Sequence, residues 1–132
     1  MTNIQIQFEY DPSENILFTV DAGDIATEND AADFLGRYQE QFAAIGHPIY
    51  LVSNIDDLRI KPTAAEFYGR RLKELAVKHV LGFTRYSGNP TSRMTVRNAS
   101  LRSDYVINIY DTKEQAIEAV RKMKADARRP PA

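Results

Sequence analysis

Between Ile49 and Glu66 the chain reads IYLVSNIDDLRIKPTAAE: a nearly continuous apolar run, two aspartates, then Lys-Pro-Thr and the start of a helical pattern. Apolar residues without alternation mark a strand covered on both faces, and such strands belong to parallel sheets flanked by helices. This segment narrows the fold to an open α/β sheet with Ile49–Val52 near its middle. It also marks where recognition or chemistry would sit, because open α/β sheets place their functional groups where a strand empties into a loop and a helix N-terminus.

The rest of the chain alternates in the same way. Ile4-Gln5-Ile6-Gln7-Phe8 has period two, Asp11–Asn15 is a turn cluster, and Ile16–Val20 resumes as a strand, which predicts a β-hairpin. A capping threonine, Thr27, and an acidic first turn open a helix. Its apolar positions Ala31, Leu35, Tyr38, Phe42 and Ile45 mark one face, and Gly46 with Pro48 beyond it ends the helix. Thr63-x-x-Glu66 reads as a capping box for a second helix buried through Ala65, Tyr68, Leu72, Leu75 and Ala76. Val80–Thr84 reads as another interior strand. Asn89-Pro90 reads as the N-cap and first residue of a short third helix whose apolar positions are Met94 and Leu101. Tyr105–Tyr110 is the last predicted strand, and Asp111–Gln115 caps a final helix buried through Ala116, Ile117, Val120 and Met123.

The order β-β-α-β-α-β-α-β-α requires right-handed crossovers between parallel strands, with the first hairpin strand antiparallel to the rest. The expected fold class is α/β: a single mixed, mostly parallel sheet with about four helices, occupying residues 1–127 as one domain, with 128–132 a frayed tail.

Composition removes several classes of function. The 132 residues include no cysteine, which excludes disulfides, thiolate metal sites and a cysteine nucleophile. Neither a signal-peptide pattern nor an apolar stretch of membrane-spanning length is present, so a cytoplasmic protein with no membrane span is expected. The formal net charge of −1 conceals a division: residues 1–60 balance to −9 and residues 61–132 to +8. One reading is a positive face built by Arg70, Arg71, Arg85, Arg93, Arg97 and Arg102; the other is that the halves interleave and neutralise each other. A basic stripe with interleaved aromatics is missing, so no nucleic-acid partner is expected. There is no Gly-x-Ser-x-Gly elbow and no His-Glu-x-x-His, and His47 and His79 stand alone. Asp56 and Asp57 are adjacent carboxylates that point apart on an extended segment, which argues against a metal site.

With these elements in place, the hairpin, the strand Ile49–Val52 running to a helix begun near Thr63, and the closing YVINIYDTKEQAIEAV resemble the STAS-type domains of anti-sigma-factor antagonists and sulfate-transporter tails. The resemblance is closer still to the small stand-alone bacterial proteins of that fold, a group with no established activity. It covers residues 4–124 at the level of element order. It implies a non-enzymatic regulatory or protein-interaction domain. In the antagonists, a hydroxyl in an Asp-Ser-Ser-Gly-like motif opening the helix after the third strand is phosphorylated to switch partner binding; here Thr63 is the hydroxyl in the matching segment and no glycine follows it.

Two surfaces are therefore candidates. Asp56, Asp57, Lys61 and Thr63 form a possible switch or interaction edge, and Arg85, Ser87, Gly88 and Arg93 a possible anion or ligand site. The expected partner is a protein or a second copy of the chain; the alternative is a carrier of an anionic or apolar small ligand near Phe67, Arg85 and Arg93, with no cofactor and no metal in either case.

Overall fold

The computed structural model describes residues 4–102 and 108–128. Strands β1 (Gln5–Asp11) and β2 (Ile16–Ile25) form the hairpin, followed by α1 (Glu28–Ile45), β3 (Ile49–Ile60), α2 (Pro62–His79), β4 (Val80–Tyr86), α3 (Pro90–Arg102), β5 (Ile109–Tyr110) and α4 (Lys113–Arg128). Asp11 Oδ1 closes the hairpin turn by accepting from the Ser13 amide at 2.9 Å, and Asn15 takes the left-handed conformation with φ 57°.

The sheet order is β1-β2-β3-β4-β5, with β1 antiparallel to β2 and every other pair parallel. Right-handed crossovers that all step in the same direction put their helices on one face, and α1, α2 and α3 do pack side by side there. α4 leaves the far edge and folds back over β3 and β4 on the opposite face.

The two faces have separate cores. Leu17, Leu51, Ile55, Leu58 and Ile60 meet Phe34, Leu35, Tyr38, Tyr68 and Val96 on the three-helix face, while Ile16, Tyr50 and Val52 meet Ala116 and Val120 beneath α4. Gly82 permits that second contact, since a Cβ there would lie 2.6 Å from Met123 Sδ and 3.0 Å from Tyr50 Cδ1.

Four sequence expectations change. β3 does not end at Val52 but continues to Ile60, so Asp56 and Asp57 lie within the strand rather than beyond it. Its period slips by one residue opposite β2 between Val20 and Ala22, and this bulge breaks the alternation that would have disclosed the extra length. Thr63 is not an N-cap. Pro62, whose fixed φ and missing amide suit the first helical position, starts α2 one residue earlier, and the N-cap is Lys61 with no side-chain cap bond. Met94 and Leu101 are not buried; they are 57% and 60% exposed, and α3 turns Ser92, Val96, Ala99 and Ser100 inward. α4 runs through Arg128, placing that residue in the helix rather than the tail. Positions 105–107 of the expected last strand, and 129–132 of the expected tail, lie outside the described residues.

Candidate functional site at the carboxyl edge of the sheet

Because β2 through β5 run parallel, their carboxyl ends and the N-termini of all four helices share one edge of the molecule. β2 and β3 project beyond the others along it. Ala22–Ile25 pairs with Asp57–Ile60, whereas β4 stops at Tyr86 opposite Asn54. The flank of β3 left open by β4 is taken by α3. Ser92 Oγ donates to the Asp56 carbonyl at 2.8 Å, Asn89 Nδ2 donates to the same carbonyl at 3.1 Å, and the Ile60 amide donates to Thr95 Oγ1 at 3.2 Å. Hydroxyl and amide side chains spaced three apart from Asn89 thus stand in for a strand, which is why the side of α3's first turns that faces β3 is polar.

Asp56 is the hub of this edge. Its Oδ1 accepts from Ser87 Oγ at 2.6 Å and from the Gly88 amide at 3.2 Å, and its Oδ2 from Asn54 Nδ2 at 3.2 Å. These donors, the Ser87 hydroxyl foremost, hold its carboxyl below the ordinary value of 3.8. Asn89 completes the loop as the expected N-cap: its Oδ1 accepts from the Thr91 amide at 3.0 Å and the Ser92 amide at 3.4 Å.

The structure therefore joins residues from the two candidate sets and separates others. Asp56 meets Ser87 and Gly88; Asp57 points away and is exposed. Lys61 and Thr63 are exposed at the start of α2, where Thr63 Oγ1 donates to the Ala26 carbonyl at 2.5 Å and so ties β2 to α2. Arg93 stays beside Ser87, donating to its carbonyl at 3.1 Å, to the Ile109 carbonyl at 3.3 Å and to the Asp111 carboxylate. Asn54, Ser92 and Thr95 were not singled out from sequence, because isolated polar residues in a strand and a helix carry no local pattern.

Arg85 is not part of this surface. It lies on the three-helix face of β4, 1% exposed, with Nη2 donating to Tyr68 Oη at 3.1 Å and its guanidinium 4.7 Å from the centre of the Phe83 ring. An arginine after an interior strand reads as a surface cation in sequence; here strand alternation from Phe83 turns it inward. Across the same face run Ser53 and Thr19, 2.7 Å apart, with Tyr38 Oη 2.8 Å from Thr19 Oγ1 and donating to Asp21 Oδ1 at 2.5 Å. Burial pushes the Asp21 carboxyl up to about 6, against the pull of Tyr38, Arg85 and Thr19. The Tyr38 phenol is raised well above 10 by burial and by the facing Asp21.

The acidic and basic halves of the chain attract each other in the core, where Arg85 pulls on the Asp21 carboxylate, and at the surface. Of the five ion pairs among the described residues, Arg121 to Glu14 at 3.3 Å alone joins them. No cluster of three or more His, Asp or Glu that could hold a metal occurs among the described residues, and none of their helices is long and apolar enough to cross a membrane.

No family model matches this chain, and no curated protein matches it. Among solved structures, the crystal structure of an anti-sigma factor antagonist from Mycobacterium paratuberculosis is similar at a TM-score of 0.58, covering 89% of this chain and 95% of that one with 18% sequence identity. At that identity the likeness is one of architecture, and it shows that this chain adopts the STAS-like α/β fold of an anti-sigma factor antagonist.

Proposed function

We propose that this chain is a non-enzymatic regulatory domain that binds a protein partner through the outer face of α3 and the adjoining carboxyl edge. The observation that carries this reading is the outward stripe Met94, Arg97 and Leu101, spaced to lie along one side of α3, with both apolar side chains more than half exposed. Beside it an open groove of about 520 Å³ is lined by Gly88, Pro90, Arg93, Met94, Arg97 and Asp111. Arg97 has no ion-pair partner among the described residues, and with no acidic side chain on α3 the stripe suits an apolar surface bearing carboxylates. Asp57, Lys61 and Thr63 are the exposed residues of the neighbouring β3–α2 junction. The shared fold supports a regulatory role, because the neighbour of known structure is itself an antagonist of a regulatory factor. Asp56 and Ser87 serve here as structural groups that keep the edge rigid.

The test compares tagged wild-type protein with Met94→Glu/Leu101→Glu, each recovered from cells of the natural host and weighed by native mass spectrometry. The expected result is one stoichiometric protein partner, or a second copy of the chain, on the wild type and a bare monomer for the variant with an unchanged circular dichroism spectrum. Equal recovery of the same partner by both proteins, or a wild-type monomer alone, would overturn the proposal.

A further inference from the structure

Among the described residues, three places on the sheet could take another strand, and two of them are closed. The overhanging flank of β3 is filled by α3. At the far edge β5 is two residues long, and Arg93 occupies the Ile109 carbonyl. The third place is β1, seven residues whose one strand neighbour is β2. Arg37 of α1 reaches this edge at the Ile4 carbonyl, ahead of the strand. Edge strands are normally guarded by proline, lysine, a bulge or extreme shortness. β1 has none of these, and its pairing with β2 is unbroken from Gln5 to Asp11, the bulge of β2 falling on the β3 side.

The sequence of β1, QIQFEYD, says what fits against it. Ile6, Phe8 and Tyr10 are half-buried against the three-helix core, while Gln5, Gln7 and Glu9 stand exposed on the other side. Antiparallel pairing about a two-fold axis at Phe8 is the one register that engages all seven residues with a second copy of themselves. It sets Phe8 against Phe8 and Ile6 against Tyr10 on the helix side, and Gln7 against Glu9 and Gln5 against Asp11 on the other. Each carboxylate then meets an amide that can donate to it, like charges are never opposed, and apolar groups face one another. A strand complementary to its own reverse is what an isologous contact requires.

We propose that two copies of this chain associate through β1, antiparallel about Phe8, so that one sheet runs through both. The contact is small, seven residues a side against the roughly 20–30 of a standard interface, and its dissociation constant is therefore on the order of 0.1 mM. At the dilution of a cell extract the edge is empty. The pairing is separate from partner binding at α3.

The test sediments the intact chain at concentrations from about 10 μM to about 1 mM, a span that brackets this constant. The weight-average mass should climb from the 15.0 kDa of one copy toward twice that value. Two variants at an exposed position fix the register. Gln7→Lys sets a cation against Glu9 of the other copy and should tighten the dimer, whereas Gln7→Glu opposes two carboxylates and should loosen it. Each pair occurs twice, so the expected change is roughly 2- to 30-fold in either direction. Hydrogen exchange at the highest concentration should slow at β1 amides and not on α3. The proposal is overturned by a mass that stays at 15.0 kDa throughout, by two variants that shift association the same way or not at all, or by loss of association in Met94→Glu/Leu101→Glu. That last result would place self-association on α3, while failure of partner recovery through α3 leaves the β1 contact intact.

Discussion

Asp21 in the interior and Asp56 at the carboxyl edge sit on neighbouring strands, and each accepts a short hydrogen bond from a hydroxyl, Tyr38 at 2.5 Å and Ser87 at 2.6 Å. Their acidities nevertheless move in opposite directions. Asp56 has three donors, one of them a backbone amide, and keeps partial access to water. Asp21 is sealed in the core, where desolvation outweighs its hydroxyl partners. A close hydrogen bond therefore does not by itself keep a carboxylate ionised; the number of donors and the access to water decide.

The sharpest break of this comparison is by pH. The folded-state value of Asp21, about 6, lies above the unfolded 3.8, so the folded protein holds this proton more tightly. The resulting stability is fully present below the unfolded value and is lost as pH rises through the folded one, by about 3 kcal/mol at most between pH 4 and 7. Urea unfolding across that range should show the fall in wild type and flatten in Asp21→Asn; a parallel slope in the variant would reject the assignment. Asp56 contributes with the opposite sign, its stability present above the unfolded value and lost as pH falls through its lower folded one.

Next in size, Asp56→Ala leaves Ser87 Oγ and the Gly88 amide without their acceptor and should cost about 2 kcal/mol in the same assay at pH 7. Hydrogen exchange should then speed selectively at Gly88 and through the first turn of α3, which would place the loss at the edge. Two threonines of that edge sharpen the contrast further. Thr27 Oγ1 accepts from the Asp30 amide at 3.0 Å while Asp30 Oδ2 accepts from the Thr27 amide at 3.1 Å, so Thr27→Ala should cost about 1 kcal/mol. Thr63→Ala should cost only about 0.5 kcal/mol, because its exposed hydroxyl makes one bond, to Ala26, and caps nothing. Equal losses in chemical denaturation of the two variants would restore Thr63 as a cap.

What the sequence disclosed follows the same division between local and distant partners. The Thr27 cap, the left-handed Gly46, the Asn89-Pro90 start of α3 and the element order were legible because each is settled within a few residues. The Asp56 hub was not, since its ties to Ser87 and Gly88 span 31 and 32 residues. Met94 and Leu101 misled because apolar side chains normally mark a buried face, whereas the demand on α3 was to satisfy the open backbone of β3 with Ser92 and Thr95. Arg85 misled for a related reason: charge predicts exposure everywhere except where alternation along a strand overrules it.

The docking of α3 on β3 has a further consequence, for where this chain can pair with its own kind. A strand that outruns its neighbour offers bare amides and carbonyls to any extended peptide, the usual start of edge-to-edge aggregation. Here the Asp56 carbonyl and the Ile60 amide are already occupied by side chains of α3. On this flank of β3 those groups are thus closed to an incoming strand, and the protection is carried by a serine, an asparagine and a threonine rather than by charge or proline.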